Sequence, residues 1–308
     1  YDRTMARISS KVASRLVKAI GIKRRLQEAA ELDDDPAKLA EIVAKLRRTD
    51  QLEPSRRLQR HWNWQPVDVA DYRLHVMEDR DGRSRRVILY LHGGGYMFGP
   101  FGTEWAACHR VAVATSCDFA VLVYPKAPEH QAPETIEVAV DAFTVLEDRY
   151  GAENIVVMGT SAGGGLALAV MAELLGADRS LPATGVLISP GVDMTLADPI
   201  GELEAGDVLL SADHVRSAGK LYAGPLGAEH PKISPLFADL AGLPPLHVLV
   251  GTEEILLPSV VSFADRARDA GTEVSLIIGD GQQHTWPLAP TPDGRETLRQ
   301  IAAIIGPD

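Results

Sequence analysis

The chain has 308 residues, 45% apolar and 24% charged, which excludes a disordered or collagen-like protein and leaves enough material for a large core without staples. A net charge of −11 has the wrong sign for a nucleic-acid binder. Two cysteines, Cys108 and Cys117, are too few for a disulfide framework and read as reduced thiols. With no apolar run of about eighteen residues and no signal-like apolar stretch at the start, the chain is expected to be cytoplasmic.

The first segment is basic: residues 1–25 carry eight Lys and Arg side chains against Asp2. Met5, Ile8, Val12, Leu16 and Ala19 recur at helical steps, so this segment is expected to be a helix that docks its apolar stripe on the rest of the protein, rather than on a membrane. A second helix is expected from Asp35-Pro36, with Leu39, Ile42, Val43 and Leu46 as its stripe. Val67–Val76 alternates like a half-buried antiparallel strand, and Asp81-Gly82 marks a turn. Short apolar runs come next, at Val87–Leu91, Phe119–Val123, Ile155–Met158, Thr184–Ile188, Leu246–Val250 and Val274–Ile278. Helical stretches such as Thr135–Tyr150 and Leu166–Leu175 separate them. This rhythm predicts an α/β fold, a mostly parallel sheet covered on both faces. Between Asp193 and Ser234 no strand pattern appears, which suggests an inserted lid.

Gly159-Thr160-Ser161-Ala162-Gly163 sits between an apolar strand and a helix, the context a nucleophile elbow requires. A sharp strand-to-helix turn strains the nucleophile's backbone, and small flanking residues let neighbouring chain approach. His92-Gly93-Gly94-Gly95-Tyr96 ends an earlier strand. Its glycines can turn successive amides toward an oxyanion, so the expected donors are among Gly93, Gly94 and Gly95, with Ala162 after the nucleophile. His284, near the end of the chain, is the candidate base; His92 is expected to be structural. An acid is expected after Leu246–Val250, where Glu253 and Glu254 compete and spacing does not separate them. Tyr96, Trp105, Tyr222 and Trp286 are candidates for a pocket wall, with core packing as the plainer reading. No metal-ligand spacing is present.

Six ordered motifs resemble the hormone-sensitive-lipase-like branch of the α/β-hydrolases, mostly carboxylesterases. They are His92–Tyr96, Tyr124-Pro-Lys-Ala-Pro-Glu-His130, Gly159–Gly163, Ser189-Pro-Gly-Val-Asp193, the run from Ser234-Pro-Leu-Phe to Pro245, and Gly281-Gln-Gln-His284. The resemblance covers about Arg86 to the C-terminus. It implies an eight-stranded sheet, a catalytic domain over 66–308, and a cap made of residues 1–65 plus an insert near 193–232. The family's acid pattern favours Glu254, with Gly251 and Leu256 in register, over Glu253. Its oxyanion hole usually uses the later glycines, here Gly94 and Gly95, with Ala162. Thr160 stands where many members have Asp, Pro125-Lys126 replaces a common Arg-Leu, and Gly191 replaces a frequent Trp.

The resemblance therefore implies a serine carboxylesterase for short- to medium-chain esters, with Ser161, His284 and Glu254 as its triad. It implies no cofactor and no metal, a small-molecule ester as partner, and is compatible with a homodimer. A ligand-binding receptor and an amidase or peptidase share the fold. The retained His284 stands against the first. Sixty N-terminal residues, too few for the extra domain such peptidases usually carry, stand against the second.

Overall fold

The computed structural model describes Lys23 and residues 36–306; the helix expected from Met5 to Ala19 lies outside the described residues. Helix α1 (Pro36–Leu46) begins at the expected proline and buries Leu39 and Val43. Helix α2 (Arg56–His61) is capped by Ser55, whose side chain accepts the Leu58 N–H.

The next stretch departs from expectation. Instead of one strand over Val67–Val76, the chain forms a hairpin of β1 (Asn63–Val69) and β2 (Tyr72–Glu78). The turn is Ala70-Asp71, with Ala70 at φ 49°. Alternation runs on through this dipeptide without Gly, Asn or Pro to punctuate it, so the pattern hides the reversal. Pro66 is tolerated because β1 lies at the edge of the sheet, where a missing N–H costs no ladder bond.

From there strands and helices alternate: β3 (Val87–Leu91), α3 (Gly102–Thr115), β4 (Asp118–Val123), α4 (Ala132–Tyr150), β5 (Ile155–Thr160), α5 (Ala162–Gly176) and β6 (Thr184–Ile188). Between β6 and the next strand lie loops and short helical pieces, notably α6 (Leu203–Gly206) and α7 (Ala212–Ala223), and no strand. The chain closes with β7 (Leu246–Gly251), α8 (Leu257–Asp269), β8 (Val274–Gly279) and α9 (Pro292–Ile305). The eight strands form one sheet in the order β1-β2-β4-β3-β5-β6-β7-β8, parallel from β4 to β8, with β2 antiparallel to its neighbours.

Burial of both faces explains the continuous apolar runs. Leu89, Leu91, Val157, Leu187 and Val248 face a layer that includes α1, α4, α5 and α8. Ile88, Tyr90, Val156, Met158, Val186 and Leu249 face α3 and α9, and Cys108 and Cys117 lie in that layer without forming a disulfide.

The segment after α1 grips the loop between β3 and α3. Arg47 donates to the carbonyls of Met97 and Ala127, and the Gln51 N–H donates to the Pro100 carbonyl. Asp50 accepts the Gly99 N–H and pairs with Lys126, which also donates to the Gly99 carbonyl at 2.7 Å. Burial pulls the Lys126 ammonium below its usual pKa, against the opposing pull of Asp50. Removing one partner of such a buried pair strands the other charge. Asp50→Ala should therefore destabilise the fold by about 3 kcal/mol in chemical denaturation, and Asp50→Ala with Lys126→Met should recover most of that loss.

Candidate active site

Strand β5 ends at Thr160 and α5 begins at Ala162, so one residue, Ser161, makes the turn. It is held at φ 53° and ψ −122°, a region that L-residues rarely occupy and that costs about 1–3 kcal/mol. The surroundings enforce it. The Ser161 N–H donates to the Ile188 carbonyl at 2.9 Å, and the Ser161 carbonyl accepts the N–H groups of Gly164, Gly165 and Gly191. The flanking glycines are steric necessities. A Cβ on Gly159 would stand 2.2 Å from the Gly163 carbonyl oxygen, and one on Gly163 would stand 2.1 Å from the Leu91 oxygen and 2.4 Å from that of His92.

His284 follows β8 and meets the elbow: its Nε2 is 2.9 Å from Ser161 Oγ. Its Nδ1 is 2.6 Å from Glu254 Oε2. Glu254 is fully buried, and its other oxygen accepts the Gly251 N–H at 2.6 Å and the Ser189 hydroxyl at 2.8 Å. Ser189 Oγ in turn accepts the Thr285 N–H at 3.0 Å, so the first residue of the Ser189–Asp193 motif links the acid and histidine loops. Glu253 is exposed and contributes its N–H to the Gln282 carbonyl. Burial alone would lower the His284 pKa. The charge and hydrogen bond of Glu254, with the charge of Asp207, outweigh burial and raise it above the ordinary histidine value. An imidazole so placed can take the Ser161 proton, and the carboxylate behind it can stabilise the imidazolium that results.

The glycine loop corrects one expectation. The Gly93 N–H donates to Glu104 Oε1 at 2.6 Å, so it is not available to an oxyanion. Among the described residues, the N–H groups of Gly94, Gly95 and Ala162 have no protein acceptor. Gly94 at φ 111° and Gly95 at φ 61° turn the loop, and the Gly94 carbonyl accepts the N–H groups of Met97 and Phe98. Glu104, in the first turn of α3, also accepts the hydroxyls of Tyr90 and Thr160 and the Phe101 N–H. Burial pushes its pKa up, against these four donors. The departure at Thr160 thus has a structural partner: its hydroxyl bonds to Glu104 beneath the elbow. Sequence reasoning missed Glu104, whose only signal was its place three residues after Phe101 at a helix start.

The other expected residues fall into supporting places. His92 is buried, stacks on Tyr124 at 3.9 Å and has its pKa pushed down to about 3 by burial. Tyr96 of the glycine loop stacks on Tyr222 of α7 at 3.6 Å, nearly parallel. Trp105 and Trp286 are core residues of the α3–α9 layer rather than a pocket wall. His214 of α7 lies against the loop, its Nε2 3.5 Å from where a Gly95 Cβ would stand. Among the described residues, no group of three or more His, Cys, Asp and Glu is placed to hold a metal ion.

A serine elbow at the C-terminal edge of a doubly covered parallel sheet, facing a glycine loop and a late histidine, defines the α/β-hydrolase class. Residues 88–288 match the family model described as alpha/beta hydrolase fold. An esterase of Acinetobacter venetianus is 30% identical over 242 residues, covering 77% of this chain and 80% of its own. An acetyl-hydrolase of Streptomyces hygroscopicus is 32% identical over 232 residues, covering 73% and 76%. A solved structure of a hormone-sensitive lipase from a metagenome library superposes with a TM-score of 0.81 at 30% identity, covering 97% of this chain and 99% of its own. The chain belongs to the α/β-hydrolase family, in its hormone-sensitive-lipase-like branch.

Gly163→Ala tests the steric reading of the elbow. The added methyl would have to displace the carbonyls of Leu91 and His92. We expect soluble protein with thermal stability lowered by several degrees and ester hydrolysis reduced at least 100-fold, read from melting curves and p-nitrophenyl acetate turnover.

Proposed function

We propose that the chain is a serine carboxylesterase acting on short- to medium-chain carboxylic esters, with Ser161, His284 and Glu254 as its triad. One observation carries the reading: Ser161 Oγ, His284 and buried Glu254 form a continuous hydrogen-bonded line. Among the described residues the amides of Gly94, Gly95 and Ala162 have no protein acceptor, and Gly163, two residues after Ser161, lies against the His92 carbonyl at the start of the glycine loop. The names of the two sequence relatives, an esterase and an acetyl-hydrolase, support the ester and the short acyl group.

In this mechanism Ser161 Oγ attacks the ester carbonyl while His284 Nε2 takes its proton. The tetrahedral oxyanion is held by the amides of Gly94, Gly95 and Ala162. His284 then gives the proton to the departing alkoxide, leaving an acyl group on Ser161. Water, deprotonated by the same imidazole, cleaves that acyl-enzyme and restores the serine. Glu254 accepts the Nδ1–H hydrogen bond throughout and fixes the tautomer. The line from Ser161 to His284 favours catalysis over a receptor role.

We also propose that residues 193–232, with the part of the N-terminal segment 1–65 that precedes α2, act as the cap; Leu58 and Trp62 pack in the α3–α9 layer and Asn63–Gln65 belong to strand β1, so the expected boundary at 65 falls too late. The ring stack of Tyr222 on Tyr96 and the contact of His214 with the Gly95 region support this placement. Among the described residues, no helix is long and apolar enough to cross a membrane. A small ester is the partner this site fits.

Ser161→Ala should reduce kcat for p-nitrophenyl butyrate by about 10⁶-fold while the melting curve is retained. Persistence of an acyl-enzyme burst in that variant would overturn the assignment. Glu254→Gln should cost up to roughly 10⁴-fold in kcat, because His284 loses its charged acceptor, whereas Glu253→Gln should stay within about threefold of the parent. The reverse ranking in steady-state assays would shift the acid by one residue.

A further inference from the structure

The stretch between α6 and α7 is bonded to the neighbours of both the acid and the base. Asp207 is almost fully buried. Its Oδ1 accepts the N–H groups of Leu209 and Leu210, each at 2.8 Å. Its Oδ2 accepts the N–H of Ile255 at 3.0 Å, and Ile255 directly follows Glu254. From the other side comes Gln283, directly before His284. Its Oε1 accepts the Val208 N–H at 3.1 Å, and its Nε2 donates to the Gly206 carbonyl at 3.2 Å. Lys23, from the N-terminal segment, closes the arrangement by donating to the carbonyls of Glu204 and Asp207 at 2.5 and 2.9 Å.

We propose that Asp207 is a positioning residue of the esterase: a second carboxylate that, with Gln283, pins the insert to the acid and base loops and adds a negative field at His284. The inference rests on the esterase reading above and adds to it a residue outside the triad. Both Asp207 oxygens accept N–H donors, a geometry that suits the ionised form. Burial holds its pKa above the ordinary carboxylate value, although the charge of His284 and the three amide donors pull it back. Among the described residues, the charged groups that act on His284 are Glu254 from the β7–α8 loop and Asp207 from the segment between α6 and α7, and both favour the imidazolium. Imidazolium is what forms as Ser161 attacks, so a fixed negative charge here lowers the barrier as well as raising the pKa of the free base.

The neutral imidazole is the active form, and this sets the sign of the pH dependence. Glu254 and Asp207 raise the His284 pKa, so kcat/KM should increase with pH through one ionisation above about 6.5. Removing the Asp207 charge should move that limb to lower pH, so the variant keeps a larger fraction of its own plateau in acid, yet the plateau itself should fall.

The test compares pH–rate profiles of the parent, Asp207→Asn, Asp207→Ser and Gln283→Leu on p-nitrophenyl acetate, each at matched folded concentration. Serine keeps an acceptor for the local amides and so supplies a second neutral variant if asparagine prevents folding. Both charge-removing variants should shift the limb down by about one pH unit, tenfold in the plateau fraction retained in acid, and lower plateau kcat by roughly tenfold. Gln283→Leu removes the cross-link but no charge, so its limb should stay within about 0.2 units while kcat falls a few-fold. An unmoved limb in a folded, charge-removed variant would overturn the proposal. A limb moved equally by Gln283→Leu would also overturn it, because the effect would then be loop displacement rather than charge. A parent profile with no ionisation between acid and neutral pH would instead strike the histidine-base reading itself.

Discussion

The start of α5 presses against the end of β3 with no room for a side chain. Gly163 lies so close to the carbonyls of Leu91 and His92 that even a methyl group would overlap them. This contact fixes the distance between the serine elbow and the glycine loop, because one ends at Gly163 and the other begins at His92. It also fixes the strain at Ser161, since a helix that starts this close to the sheet leaves one residue in which to turn. The parallel neighbours β3, β5 and β6 then deliver three loops to one edge of the sheet. Ser189, at the end of β6, joins the elbow's surroundings to the acid and histidine loops.

Electrostatics is arranged on this steric frame. The charges of Glu254 and Asp207 favour the His284 imidazolium, whereas Glu104 accepts from four neutral donors, among them the Thr160 hydroxyl next to Ser161. A carboxylate surrounded by hydroxyl and amide donors keeps its place without a cation. Glu104 takes up the Gly93 N–H, and among the described residues the next two amides of the loop have no protein acceptor. The segment after α1 completes the frame at the far end of the same loop, through Asp50 and Arg47.

Much of this was legible in the sequence because its strongest signals are local. The six apolar runs from Val87 onward became strands with ends shifted by two residues or fewer, since buried parallel strands have no polar face to confuse them. The elbow was legible because it is a short motif of small residues between a strand and a helix, whereas spacing left Glu253 and Glu254 unseparated and only the family resemblance favoured Glu254. The β1–β2 reversal was not, as Ala70-Asp71 lacks the usual turn chemistry. Gly93 was indistinguishable from Gly94 and Gly95 by type; only the three-dimensional position of Glu104 separates them. Asp207 was equally silent: an aspartate before Val208-Leu209-Leu210 carries no mark that it folds back on three amides, one of them 48 positions away.

The ring stack between Tyr96 and Tyr222 joins two parts of the chain with different tasks. Tyr96 belongs to the loop that carries Gly94 and Gly95, and Tyr222 to α7, in the segment proposed as the cap insert. A change of insert that alters pocket shape therefore also replaces half of a support for the loop. Grafting an insert from one relative onto another is for this reason not a modular exchange. A recombinant enzyme would inherit its new pocket together with a differently braced glycine loop, unless an aromatic ring is restored at the position of Tyr222.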